Sequence, residues 1–309
     1  MKILASVLTH NRKNLLKRCI SALENQTRKG FDTLIIDNGS TDGTMEMLND
    51  LKSRHHAMDV ITQENLGSAG GWSRAIKFAL ENDFDFIWLM DDDGYPDSKA
   101  LEVLTEFLQS HKNKLSCVSS IVLNENDHNK LVFNLPILDK YGYPKLFGFK
   151  RKFRSKKDLI RNQIIDTYPF AHLFNGALIS LEAVRNIGNV NKDFYIYGDE
   201  VDYFFRLRKF APIYTIIHAK HFHPDVSSRP YNIKKIYYLL KNNLILFEKH
   251  FNFPNTRKII SIVLLLIRIA LRDRLTMSIS LILGPNAHYF YKAIYRGLSG
   301  KLAKDFEND

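Results

Sequence analysis

The sequence predicts an α/β fold, a Rossmann-like and mostly parallel sheet with helices on both faces, carrying a helical C-terminal extension. Three observations carry that prediction. Through residue 123, short β-branched apolar runs alternate with longer amphipathic stretches across turn residues, the order of a parallel sheet covered by helices. Three of these runs end in polar clusters, Thr9-His10-Asn11, Asp37-Asn38-Gly39 and Asp91-Asp92-Asp93, and in such sheets ligands bind beyond the carboxyl ends of the strands. Beyond residue 231 the chain is helical in pattern, basic, and rich in Tyr, Leu and Ile.

Taken in order, the strands are read at 3–8, 33–37, 58–62, 85–90 and 115–123, with helices at about 14–25, 43–53, 70–82 and 98–110. The opening apolar run is too short for the core of an export signal and meets His10, Asn11 and Arg12 at once, so it reads as a first strand. Residues 124–168 break the rhythm with Asn and Asp clusters, Gly142, Pro144, Gly148 and the basic run Lys150 to Lys157, and read as an insertion or mobile loop. The chain resumes with a strand at 177–180, helices at 181–187 and 200–210, and a strand at 213–218. Two units follow: 1–225 with the sheet, and 226–309, a basic helical region.

At 309 residues the chain can bury a sizeable core, and 45% hydrophobic with 25% charged residues is an ordinary globular composition. Residues 1–110 hold 12 Lys and Arg against 17 Asp and Glu, a net of −5; the rest holds 32 against 16, a net of +16. A phosphate-bearing substrate or an anionic membrane surface would explain the basic part. Nucleic acid is not expected, because no zinc-finger spacing, aromatic-rich RNA motif or basic zipper occurs. Cys19 and Cys117 lie far apart in apolar segments, which fits a reducing compartment. The longest apolar stretch, Ile259 to Ile267, stops at Arg268 and is too short to span a bilayer.

Three carboxylates in a row at a strand exit repel one another and raise each other's pKa, so Asp91-Asp92-Asp93 points to a divalent cation. A solvated acidic turn is the plainer explanation of the triplet alone. Alternate residues of an extended chain share a face, which favours Asp91 and Asp93 as ligands and turns Asp92 toward a donor or the interior. Asp37 to Thr44 joins a strand to a helix through small residues, with Asp37 able to accept from the N–H edge of a base and Asp42 or Thr44 able to cap the helix. Asn65-Leu66-Gly67-Ser68-Ala69-Gly70-Gly71-Trp72-Ser73-Arg74 is a second glycine-rich junction; it lacks the G-x-G-x-x-G spacing and follows the third strand, which disfavours a dehydrogenase. Gly198-Asp199-Glu200-Val201-Asp202 sets three carboxylates in a first helical turn, where capping or general-base work would suit them. Of His218, His221 and His223, the last two share a face if the segment is extended, and His223, held extended by Pro224, is the preferred metal ligand.

In this order the motifs resemble the inverting glycosyltransferases of family 2, which have the GT-A fold; the resemblance covers about residues 3–225. Ser6 to Arg12 is similar to the family's opening strand and nucleotide loop, and Asp37 to Thr44 to its base-binding turn. Asp91-Asp92-Asp93 stands where the family carries its D-x-D metal element, Asn175-Gly176-Ala177 resembles the segment beside the acceptor, and Asp199 to Asp202 the motif that supplies the base. The triplet, the segment Gly67 to Gly71 and the ending Ala293 to Lys301 are most similar to bacterial galactofuranosyl- and rhamnosyltransferases of cell-envelope polysaccharides. Many members have Glu-Asp where this chain has Asp199-Glu200; by position Glu200 falls on the base, with Asp199 in reserve.

The resemblance implies single displacement with inversion. Mn²⁺ or Mg²⁺ held by Asp91, Asp93 and His223 would bridge the diphosphate of a nucleotide sugar, UDP-galactofuranose before dTDP-rhamnose. Thr9, Asn11, Arg12, Asp37, Asn65, Gly70, Arg74 and Asp92 would contact that donor, and Glu200 would deprotonate a hydroxyl of a glycan or lipid-diphosphate acceptor. The expected location is cytoplasmic, peripheral at the inner face of the cell membrane, where Ile259 to Leu283 with Arg268, Arg272 and Arg274 would lie as an interfacial helix. A buried helical cap or a homo-oligomer interface explains the same composition. The competing functions are a sugar nucleotidyltransferase, for which the basic glycine-rich triphosphate loop after the first strand is missing, and a non-catalytic membrane-surface assembly protein.

Overall fold

A computed structural model describes residues 1–52, 57–226, 232–273 and 275–306. The first part runs β1 (Ile3–Thr9), α1 (Lys13–Glu24), β2 (Asp32–Asp37), α2 (Thr44–Lys52), β3 (Met58–Thr62), α3 (Gly67–Glu81), β4 (Phe86–Asp91), β5 (Tyr95–Pro96), α4 (Ala100–Ser110) and β6 (Cys117–Asn124). Strand order is β3-β2-β1-β4, all parallel. Every residue of β1 is buried, as expected of a strand covered on both faces. Its side chains alternate: Leu4 and Leu8 join Leu34, Ile36, Ile87 and Leu89 under α3, whereas Ile3, Ala5 and Val7 join Ile35, Trp88 and Met90 under α1, α2 and α4. Each such aliphatic side chain adds about 1.5–3 kcal/mol on burial.

The second part holds β7 (Lys130–Pro136), β8 (Lys152–Ser155), α5 (Lys156–Arg161), β9 (Thr167–Tyr168), β10 (Asn175–Ser180), α6 (Leu181–Ile187), α7 (Asp199–Phe210) and β11 (Ile213–His223). Three differences from the sequence reading appear here. First, the sheet is mixed: β10 is inserted antiparallel between β4 and β6. The short run at 177–180 gave little sign of a central strand, yet all six residues of β10 are buried. Second, residues 124–168 are not a structureless loop, because β7, β8 and α5 pack Leu131, Leu135, Phe153 and Leu159 into a small core with β6 and β11. Third, β11 extends through the histidines to His223, with a register irregularity between Ile216 and Lys220.

The C-terminal region is helical as expected: α8 (Ile233–His250), α9 (Pro254–Asp273), α10 (Leu275–Leu283) and α11 (Ala287–Leu298). Among the described residues no helix is long and apolar enough to cross a membrane. Arg274 lies outside the described residues, and the side chain of Arg272 outside those described. Cys19 and Cys117 are buried and free.

The helical region is locked to the sheet domain through Asp202 of α7, which is fully buried. It accepts from Arg206 Nε at 2.8 Å, Lys249 Nζ at 2.7 Å and His250 Nε2 at 2.7 Å, the last two from α8. Burial opposes its ionisation, but the bonds from His250 and Lys249 and the charge of Arg206 outweigh this and hold the carboxyl below its ordinary range. A depressed carboxyl adds stability above the unfolded pKa of about 3.9 and loses it as pH falls toward the folded value. Asp202→Asn is therefore expected to cost about 3 kcal/mol at neutral pH. In urea melts the gap to wild type should close below about pH 4; a gap that persists unchanged in acid would contradict the ionic origin.

Candidate active site

The parallel register brings the polar strand ends into line, with Thr9 opposite Asp37 and Leu8 opposite Asp91. Two adjoining hollows open at this rim. One of about 420 Å³ is lined by Thr9, Arg12, Asn38, Asn65, Asp92 and Lys235 among others. The second, of about 650 Å³, has Asp93, His223, Asn175, Asp199 and Glu200 in its wall, and Asp91, Ser68 and Tyr197 border both.

The triplet splits by role. Asp92 is buried and points inward, accepting from Thr9 Oγ1 at 2.7 Å and from Arg12 Nη1 at 2.9 Å. The same Arg12 nitrogen lies 3.0 Å from Asp93 Oδ2, and Arg18 donates to the Asp93 carbonyl at 2.9 Å. Arg12 is thus shared between two of the carboxylates. Asp91 has a carboxyl pKa well above the usual range, through burial and then repulsion from Asp93 and Asp92.

His223 fits beside them. Its Nδ1 lies 2.7 Å from the Pro224 carbonyl, which can only accept, so Nδ1 carries the proton. Nε2 then meets Asp93 Oδ1 at 3.0 Å, a lone pair against a carboxylate unless a second proton or a cation intervenes. Two hard carboxylates and an imidazole with a fixed tautomer are a donor set for Mn²⁺ or Mg²⁺. Among the described residues no three His, Cys, Asp or Glu side chains are already gathered around one point. His221 faces the same way, against Gly94, but is fully buried, without a hydrogen-bond partner for either nitrogen, and burial pushes its pKa down to about 3. His218 is exposed and 3.2 Å from Asp166, away from the rim.

Across the second hollow stands the start of α7. Glu200 is half-buried, and its Oε1 accepts from the Leu173 N–H at 2.6 Å with His172 Nδ1 at 3.7 Å. Asp199 is buried, accepts from Ser68 Oγ at 3.1 Å, and has its pKa pushed up to about 7 by burial and then by Glu200.

The other residues expected at a donor site divide. Thr9, Arg12, Asn65 and Asp92 line the first hollow, but Asn11, Asp37, Gly70 and Arg74 do not. Asp37 is fully buried and spends its carboxylate on Ser40, through the backbone N–H and the hydroxyl. Asn11 accepts from Thr41 N at 2.7 Å, which joins the β1 and β2 loops. Asn65 accepts from Gly67 N at 3.0 Å while still lining the hollow. A Cβ on Gly70 would collide with Leu66, so that glycine permits packing, and Arg74 is exposed in a separate cavity near Lys77, Lys192 and Lys304. These side chains build the loops and not the surface of the hollow.

Sequence reasoning missed the partner of this wall. The segment Tyr195-Ile196-Tyr197 has left-handed φ at Tyr195 (+63°) and Tyr197 (+56°), and Gly198 (+98°) leads into α7. Such angles cost about 1–3 kcal/mol each at a non-glycine residue. Asn242 of α8, buried, holds them by donating Nδ2 to the carbonyls of Phe194 (3.1 Å), Ile196 (2.9 Å) and Tyr197 (2.6 Å). Nothing in the helical pattern around Asn242 distinguishes it from a polar position. Asn242→Asp, which keeps the shape but removes the donors, is expected to lower nucleotide-sugar turnover at least about tenfold through misplaced Asp199 and Glu200; unchanged turnover in a folded variant would refute the coupling.

Comparison with known proteins identifies the family. The family profile for "Glycosyl transferase family 2" matches residues 6–175. Galactofuranosyltransferase GlfT1 of Mycolicibacterium smegmatis is 31% identical over 226 residues, 72% of this chain and 70% of that protein. Among solved structures, the mannosyltransferase PcManGT from Pyrobaculum calidifontis in complex with GDP-Man and Mn²⁺ superposes with a TM-score of 0.57 at 15% identity, covering 97% of this chain and 87% of the other. GalNAc-T7 with UDP, GalNAc and Mn²⁺ gives 0.59 at 13% identity over 80% of this chain, which spans 48% of that longer one. The fold is that of GT-A glycosyltransferases, and the chain belongs to glycosyl transferase family 2, close to its galactofuranosyltransferases.

Proposed function

We propose that this chain is a metal-dependent inverting hexosyltransferase that moves galactofuranose, or failing that rhamnose, from a nucleoside diphosphate to a hydroxyl of a cell-envelope glycan or lipid-diphosphate acceptor. The supporting observation is a single hollow with Asp91, Asp93 and His223 in its wall and the carboxylates of Asp199 and Glu200 in the same wall. The first group suits a diphosphate through a cation and the second suits deprotonation of an acceptor. The mycobacterial galactofuranosyltransferase favours the sugar, and the neighbours that carry UDP or GDP-Man with Mn²⁺ favour a nucleotide donor and a divalent metal.

Asp91, Asp93 and His223 would hold Mn²⁺ or Mg²⁺, which supplies charge neutralisation for the leaving diphosphate. Arg12 bridges Asp92 and Asp93 and presents a positive edge to phosphate, and Lys235 brings a further cation to both hollows. Glu200 acts as the base: the Leu173 N–H anchors one oxygen and leaves the other for the acceptor proton. Asp199 stands beside it, its own pKa pushed up to about 7 by burial and then by Glu200. The work is set at the inner face of the cell membrane, with no role for nucleic acid.

Glu200→Gln is expected to lower kcat by about a hundredfold or more, and near-wild-type transfer by both Glu200→Gln and Asp199→Asn would remove the base assignment. Because the folded pKa of Asp199 is raised, its stabilising contribution is complete below about pH 4 and lost as pH rises through about 7. Asp199→Asn should therefore melt higher than wild type in mildly alkaline buffer while transferring more slowly; a lower melting point there would contradict the burial of charge. Calorimetry with UDP should show binding with Mn²⁺, lost in EDTA and weakened by Asp93→Asn. Binding of equal strength without metal would reject the metal role, and no UDP binding at all would favour a non-catalytic assembly protein. A panel of UDP-galactofuranose, dTDP-rhamnose, UDP-galactose and UDP-glucose then fixes the donor.

A further inference from the structure

Besides exposed apolar side chains on α10 and α11, two adjoining places carry them. On α9, Ile259, Val263, Ile267 and Leu271 recur every four residues along one face and are 65%, 49%, 48% and 85% exposed. In the segment between β7 and β8, Tyr141, Phe147 and Phe149 are exposed, Phe149 completely. These two places are tied together: Arg257 of α9 donates to the Pro144 carbonyl at 2.9 Å, and Asn252 to Asp139 at 3.3 Å. Cations stand beside both. Lys152 of β8 is exposed, and Arg268 of α9, Arg151 and Arg154 stand close enough to act on its charge, which brings four positive charges into one neighbourhood.

We propose that this face, formed by α9 and the 139–154 segment, docks onto an anionic lipid bilayer. Aromatic and branched aliphatic side chains flanked by Lys and Arg are what an interfacial site needs, the apolar groups entering the headgroup boundary and the cations meeting anionic headgroups. A second copy packed face to face would set four cations against four. An apolar protein partner would offer these cations nothing. An anionic surface satisfies both halves of the patch at once, and the net +16 of residues 111–309 adds long-range attraction of the same sign. No described helix is able to span a membrane, so the chain would rest on the surface. This deepens the peripheral location in the proposed function, on which it rests only for its setting.

The test is flotation of the full chain with phosphatidylcholine vesicles with and without phosphatidylglycerol. Wild type should float only with the anionic vesicles. The pair Phe147→Ser and Phe149→Ser, the pair Ile267→Ser and Leu271→Ser, and the pair Arg151→Glu and Arg154→Glu should each weaken binding about tenfold or more. All three are expected to retain Mn²⁺-dependent UDP binding, which reports folding and the donor site independently of lipid. Absence of flotation with anionic vesicles, equal flotation of all variants, or a dimer in light scattering that these substitutions dissociate would overturn the proposal. Loss of UDP binding in a wild type that still floats would strike the transferase reading and leave the docking face standing.

Discussion

The arrangement of the rim depends on one electrostatic constraint: three carboxylates delivered by a single buried strand must be compensated there. The parallel sheet leaves Asp91, Asp92 and Asp93 little freedom, because β4 is fixed by pairing to β1 on one side and β10 on the other. Arg12 supplies one cation, shared between Asp92 and Asp93, and Thr9 completes Asp92. That leaves Asp91, with Asp93 and His223 beside it, in a state that burial and repulsion disfavour. The repulsion among these carboxylates is built into the fold itself.

A second constraint links the helical region to chemistry at the sheet. The start of α7 carries Asp199 and Glu200, but the backbone that aims them passes through two left-handed tyrosines. Such a path persists only where its surroundings over-determine it. Asn242 supplies three bonds, and Asp202 with Lys249 and His250 ties the following turn to the same helix. The strained tyrosine Tyr195 also offers its carbonyl to Ala69 N at 3.0 Å, so the start of α3 is built against the same loop. α8 is therefore part of the wall of the second hollow, which gives the C-terminal region a structural duty besides any at a lipid surface.

Much of the sheet domain could be read from the chain. Period-two burial, glycine-rich junctions and polar strand ends are local signals, and β1 to β4 with their helices fall where those signals put them. Reading failed where the deciding contact was distant. β10 entered the sheet antiparallel between β4 and β6, and nothing within its six residues announces a partner or a direction. Asn11 carried the right type for ligand contact, yet its side chain bonds the backbone of Thr41 on another loop.

What the sequence by itself determined is chemistry: which strand ends bear carboxylates, which helix starts with them, where histidines lie within reach, and that basic charge is confined to the later part. What only the tertiary structure decided is partnership. Arg12 as bridge between two aspartates, His223 set on Asp93 with its other nitrogen pinned, Glu200 anchored by Leu173 and Asn242 clamping the tyrosines all join residues between 27 and 130 positions apart. Local pattern fixes the type and period of an element because those depend on neighbours within a few residues. Which carboxylate faces a cation, a proton or the interior depends on strands that meet only when the sheet closes.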